Sequence, residues 1–145
     1  MSIREDIASN LVSTISGISS PAIKKVTRQP FELDELSQQQ YPAVLVQTIE
    51  ETKEDSELGS GAKTRVNVLE FGITAYVKTN ESNIDTERNN VASAIETELE
   101  SDITRNNKAL DTEVISIETD AGTLFPYGAV LLTVRVMYEH QSATP

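Results

Sequence analysis

Apolar residues recur with a helical spacing in two parts of the chain. Near the N-terminus they fall on every fourth position, at Ile3, Ile7, Leu11 and Ile15. This stripe predicts an amphipathic helix over residues 2–17, in which Ser2 and Glu5 have the spacing of an N-terminal capping box. Gly17 predicts the end of this helix. A second apolar stripe, with acidic and amide side chains opposite it, predicts a helix over residues 84–101, for which Asn80 to Asn83 supply cap residues.

Other stretches have the composition or the alternation of β-strands. They cover residues 22–28, 43–49, 64–78, 112–118 and 129–140. In the longest of them the apolar positions change phase near Leu69, which predicts a bulge or a change of partner strand there. Residues 29–41 are predicted to form a loop with one turn of helix, because they are polar and contain Pro30.

The order of these elements predicts an α+β fold built as one domain over residues 1–145. We expect a single, mostly antiparallel β-sheet with both helices packed on one face. The acidic segment 51–63, which contains two glycines, is predicted to be a mobile loop between two strands, and residues 141–145 a frayed tail. The other face of the sheet keeps enough apolar side chains to form a contact surface: Val66, Val68, Leu131 and Met137.

Composition narrows the possible functions. The chain has no Cys, which excludes thiolate catalysis and disulfides, and it has no apolar run of the length that spans a bilayer. Its first residues are too polar for a secretory signal. The net charge of −11 disfavours binding to nucleic acid, because affinity for phosphates rests on Lys and Arg.

The charge is unevenly distributed. Residues 1–49 carry four basic and five acidic side chains, whereas residues 50–145 carry eight basic and eighteen acidic ones. Lys24, Lys25 and Arg28 form a basic cluster with no acid between them. Two interpretations are open: an ordinary acidic surface, or a subunit whose positive and negative faces meet in a self-assembly.

No arrangement of residues predicts catalysis, a cofactor or a metal. His140 is the only His, which leaves a nucleophile without a firmly held base, and Gly59-Ser60-Gly61 lacks the spacing of a phosphate-binding loop. The richest acidic cluster is Glu50, Glu51, Glu54, Asp55 and Glu57. It lacks the spacing of a calcium loop and lies in a segment too polar to separate carboxylate pKa values.

Two aromatic residues flank a proline in a predicted turn. Phe125 and Tyr127 could be exposed there for a partner, or they could fold back over the edge of the sheet. Without clustered basic residues they do not form a platform for stacking bases.

The layout as a whole resembles bacteriophage tail terminator proteins. The features that carry the resemblance are the helix at 2–17, the Tyr41–Val46 entry into a strand, the loop and strand at 51–78, the helix at 84–101, and the closing strand Gly128–Tyr138.

The resemblance implies a structural protein of the virion, assembled in the host cytoplasm and located at the junction of tail and neck. Its subunits would form a hexameric ring on the head-proximal end of the tail tube, stop the growth of the tube and provide a docking surface for the head connector. DNA would pass through the ring without specific binding.

A ring requires two different, complementary patches on each subunit. We expect the basic cluster to pair with the acidic 50–57 loop or with the second helix. The candidate contacts with subunits or partners are Lys24, Lys25, Arg28, Glu51, Glu54, Asp55, Glu57, Phe125 and Tyr127. Two alternatives remain: another neck or head–tail connector completion subunit of the phage, and a small acidic enzyme with a carboxylate site.

Overall fold

The computed structural model describes residues 2–32, 35–55, 64–78, 83–120 and 126–141. It contains two α-helices and five β-strands. In chain order they are α1 (Ile3–Ser16), β1 (Lys25–Thr27), β2 (Ala43–Asp55), β3 (Thr64–Lys78), α2 (Ile84–Glu100), β4 (Asp111–Thr119) and β5 (Tyr127–Gln141). A short 3₁₀ turn, Gln38–Gln40, interrupts the segment between β1 and β2.

The strands form one sheet in the order β1-β2-β3-β5-β4. β1 pairs with β2 in parallel, and the other three pairings are antiparallel. The predicted α+β class with a mostly antiparallel sheet is therefore confirmed.

Both helices begin as their sequences predict. Ser2 caps α1, because its side chain accepts a hydrogen bond from the backbone N–H of Glu5 at 3.2 Å. The Glu5 carboxylate forms an ion pair with Arg28, which ties α1 to the residue that follows β1. Asn83 caps α2 by accepting from the N–H groups of residues 85 and 86.

The main core lies between the helices and one face of the sheet. Apolar stripes of both helices meet the alternate side chains of the three central strands, including Ile7, Leu11, Phe71, Ile95, Leu132 and Val136, all fully buried. The face of the sheet that carries these side chains is called the helix face below, and the opposite one the open face.

The prediction of a loop from residue 51 onwards is wrong in its first part. β2 continues to Asp55, where it pairs with Arg65 of β3, so residues 51–55 are strand. The rest of the predicted loop, 56–63, lies outside the described residues. The predicted tail is likewise shorter at its start, because Gln141 still belongs to β5 and residues 142–145 lie outside the described ones.

The change of phase in the long strand has a different cause from the one predicted. β3 pairs regularly with β5 through Leu69, and the register shift falls in β2, between Thr48 and Glu50. Val66 and Val68 are on the open face, whereas Asn67 is fully buried on the helix face. The apolar pattern changes phase because a polar residue occupies a buried position.

The segment before β2 covers part of the open face. Leu36, Tyr41 and Ala43 are buried there, and three partly buried aromatic residues pack against them: Phe31, Tyr76 and Tyr127. Only the rest of the open face is therefore available for contacts with other molecules.

Candidate functional site

A bulge in β2 places charged side chains on the helix face of the sheet. Ile49 is the extra residue, and its side chain lies over Gly72 on the open face. Any side chain at position 72 would be crowded, since an added Cβ would lie 3.0 Å from Cδ1 of Ile49. After the bulge, Glu51 pairs with the buried Leu69, so the helix face continues with a carboxylate.

Glu51 is the acceptor at the centre of a polar network. Arg4 of α1 binds both of its carboxylate oxygens, with Nε to Oε1 at 3.1 Å and Nη2 to Oε2 at 2.7 Å. The Tyr138 hydroxyl donates to Oε1 at 2.6 Å, and the Lys53 ammonium lies 2.9 Å from Oε2. The network joins α1, β2 and β5 at the end of the core.

The network continues along the sheet to His140. Lys53 donates to Oδ1 of Asn67 at 3.0 Å, and Nδ2 of Asn67 lies 2.6 Å from Nδ1 of His140. Since the amide nitrogen is a donor, this arrangement fits a neutral imidazole that accepts at Nδ1. His140 is buried, so the prediction that it lies exposed in a fraying strand end is wrong.

Three pKa values reflect this environment. Burial acts to raise the pKa of Glu51, but the hydrogen bonds from Arg4, Tyr138 and Lys53 outweigh it and lower the pKa to about 2. Burial and the bond to Glu51 raise the pKa of Tyr138 to about 12. Burial and the nearby Lys53 charge lower the pKa of His140. At neutral pH the network therefore holds an ionised carboxylate, a neutral phenol and a neutral imidazole.

A second buried ion pair fixes the start of α2. Arg88 binds Asp120, which follows β4, and both side chains are less than one-tenth exposed. The Asp120 carboxylate also accepts from the backbone N–H of Ala129 at 3.2 Å. The pair therefore links α2 to the ends of β4 and β5.

Arg105 binds carbonyl groups at the C-terminal end of α2. It is fully buried, with a left-handed backbone (φ 48°), and its guanidinium donates to the carbonyl oxygens of Leu99 and Asp102. The carbonyl groups at a helix C-terminus lack partners within the helix, so a cation is favourable there. Nothing in the sequence of this segment singles out Arg105.

The basic cluster lies at the β1 margin of the sheet. Lys24 is exposed and Lys25 half-buried, whereas Arg28 is held by Glu5 of the same chain. Two of the three predicted cations thus remain as a positive patch.

The structure separates the predicted acidic residues. The Glu51 side chain points towards the interior of the protein and is 13% exposed. Glu54 and Asp55 are the last residues of β2, and Glu57 lies outside the described residues. Phe125 also lies outside them, and Tyr127 belongs to the aromatic cluster, 5.9 Å from the Tyr41 ring and 5.2 Å from the Lys78 ammonium.

Acidic side chains form two further surfaces. The outer side of α2 carries Asp85, Glu87, Glu96, Glu98 and Glu100. It borders an open groove of about 630 Å³ that residues 18–21 line on the other side. The second surface is β4, which carries Asp111, Glu113 and Glu118 and no basic residue.

The described residues contain neither a group of metal ligands nor a membrane-spanning helix. In the part of the chain with described coordinates, no three His, Cys, Asp or Glu residues are grouped as a metal site would require. Among the same residues no helix is long and apolar enough to cross a membrane.

Nearly the whole chain matches one known protein family. A model of the family described as bacteriophage tail tube terminator protein matches residues 1–144. The chain belongs to this family. The resemblance inferred from the element order is thereby confirmed, and the protein is a structural protein of the phage tail and a component of the virion.

One solved structure has a remote similarity to the chain. A chain in a solved structure titled "Virion of native gene transfer agent (GTA) particle" aligns over 96% of this chain and 92% of its own length. The two share 9% identity, with a TM-score of 0.43. No curated protein matches the chain.

Proposed function

We propose that the terminator forms a closed ring that caps the head-proximal end of the tail tube. The ring stops polymerisation of the tube and presents a docking surface to the head connector. Family membership over residues 1–144 is the observation that carries this proposal.

The distribution of charge supports a ring. Copies related by rotation must contact each other through two unlike patches of the same subunit. The terminator has a positive patch at Lys24 and Lys25, and acidic surfaces on α2 and β4. Pairing of opposite patches favours assembly with a neighbour and disfavours like patches meeting face to face.

The acidic surface also suits a ring through which DNA passes. A net charge of −11 repels the phosphate backbone, so a lumen lined by this protein would not hold DNA electrostatically.

The positive patch is testable by charge reversal. We expect Lys24→Glu and Lys25→Glu each to weaken ring assembly roughly threefold to tenfold, because each places like charges at the contact. The mass of the wild-type assembly, measured by light scattering, should approach the mass of six subunits. It should fall as the salt concentration rises, since salt screens these charges. Arg135→Glu is the control, because it makes the same change in net charge at an exposed position of β5, an internal strand of the sheet.

Two results would contradict the proposal. The first is a wild-type chain that stays monomeric at high concentration and in the presence of tail tube. The second is assembly that Lys24→Glu and Arg135→Glu affect equally, which would remove the basic patch from the contact.

A further inference from the structure

Exposed apolar side chains occur along the β4 margin of the sheet. Among the described residues four large apolar side chains are exposed: Ile49, Ile103, Leu110 and Ile117. Three of these lie after α2, in the turn before β4 or on β4 itself, and each is more than two-fifths exposed. The turn is fixed to the strand, because the Thr112 hydroxyl donates to the Ile103 carbonyl at 2.8 Å. Ile103 and Leu110 lie before the start of β4 and Ile117 near its end, so apolar side chains are exposed at both ends of this margin.

β4 is also an edge strand of the sheet. It pairs with β5 on one side, and within the described residues no strand pairs with its other side. Such an edge presents backbone N–H and C=O groups that can pair with a strand of another chain.

The two margins of the sheet have opposite charge. β4 carries three acids and no base, whereas β1 and the residue before it carry Lys24 and Lys25. α2 is equally acidic, but none of the exposed large apolar side chains of the described residues belongs to it. Acidic side chains and exposed large apolar side chains therefore occur together at the β4 margin and not on α2.

The register places the opposite charges at one level of the sheet. A single row of paired residues on the open face crosses all five strands, from Thr27 through Leu45, Thr74 and Leu131 to Glu118. Lys25 lies two residues from Thr27 and hence on the same face. The basic and acidic side chains therefore stand at opposite ends of nearly the same row.

The strand directions allow the two margins to meet. β1 and β4 run in opposite directions, because three antiparallel pairings and one parallel pairing separate them. Copies in a ring share one orientation along its axis, so β4 of one copy would lie antiparallel to β1 of the next.

We propose that the β4 margin of each copy binds the β1 margin of the next copy. Glu118 then faces the Lys25 side of the neighbour, and Ile117 is covered by the neighbour's strand. This inference rests on the proposed ring and names the surfaces that close it.

A cross-linking experiment tests this contact. The chain has no Cys, so Lys25→Cys combined with Glu118→Cys introduces the only thiols. Within one chain the two positions are separated by four strand spacings, about 19 Å. A bismaleimide shorter than this can therefore join them only between copies. We expect a ladder of linked oligomers on a denaturing gel, up to the mass of the ring.

The controls separate this contact from its rivals. Lys25→Cys with Glu98→Cys, which moves the second thiol to α2, should give linked dimers at most. A mixture of the two single variants Lys25→Cys and Glu118→Cys should give dimers and no ladder, because each chain then carries one thiol. Native mass measured before linking checks that every variant assembles.

The outcomes are distinguishable from failure of the ring itself. A ring of normal mass that links through Glu98→Cys and not through Glu118→Cys overturns this inference and leaves the proposed function standing. A wild-type chain that forms no oligomer, alone or with tail tube, overturns both.

Discussion

Replacing Asp120 by alanine is expected to lower the free energy of unfolding by about 3–4 kcal/mol. The reason is the burial of its partner: the side chains of Arg88 and Asp120 are 6% and 8% exposed, so the substitution leaves an uncompensated charge inside the protein. The N–H of Ala129 would also lose its acceptor. Chemical denaturation followed by far-ultraviolet circular dichroism measures the change.

Asp85 provides a matched control, because it binds the same guanidinium from a position that is 65% exposed. Asp85→Ala should cost about 0.5 kcal/mol or less, as exposed ion pairs usually do. Equal losses for the two variants would show that burial does not determine the strength of this ion pair.

Replacing Glu51 by alanine is expected to lower the free energy of unfolding by about 2–3 kcal/mol at neutral pH. The substitution removes the acceptor shared by Arg4, Lys53 and Tyr138, and leaves the Tyr138 hydroxyl buried without it. Glu50→Ala is the control, since Glu50 is the exposed neighbour on the open face. A loss no larger for Glu51→Ala than for Glu50→Ala would contradict this account of the network.

The same network predicts how stability depends on pH. The pKa of Glu51 falls from 4.5 to about 2 on folding, so its contribution is full above pH 4.5 and is lost as pH falls towards 2. We expect about 2 kcal/mol of acid-dependent stability from this group, after allowance for solvent screening. The pKa of His140 is also lowered, so its part of the loss begins below its ordinary value of 6.5. Glu51→Ala should flatten the profile between pH 4.5 and 2.

Regular patterns in the sequence predict most of the fold. Apolar spacing locates both helices, and the cap residues Ser2 and Asn83 act as their positions suggest. β-Branched runs and alternation locate every strand. The class and the single mixed sheet follow from their order.

Patterns of this kind fail where a buried residue is polar. β2 was predicted to end before Glu51 because acids usually lie in solvent, yet the bulge at Ile49 turns that carboxylate into the core. Its partners come from residues 4 and 138, which no local pattern connects with it. The same reason explains the burial of three further polar residues: Arg88, Arg105 and His140. Arg88 and His140 each bind a residue distant in sequence, and Arg105 binds carbonyl oxygens at the end of α2.

The surface could be predicted only in part. The sequence indicates the basic cluster, but it does not reveal that Arg28 is bound by Glu5. The opposite charge of the two sheet margins depends on the strand order, which places β1 and β4 at the two ends although β5 follows β4 in the chain.

Electron microscopy of tail tubes grown with and without the terminator tests the central claim most directly. Tube protein that polymerises alone should give tubes of unlimited and varied length with two open ends. With the terminator added, we predict a ring at one end of each tube and an arrest of growth there. Tubes that lengthen unchanged, with no added density at either end, would contradict the account.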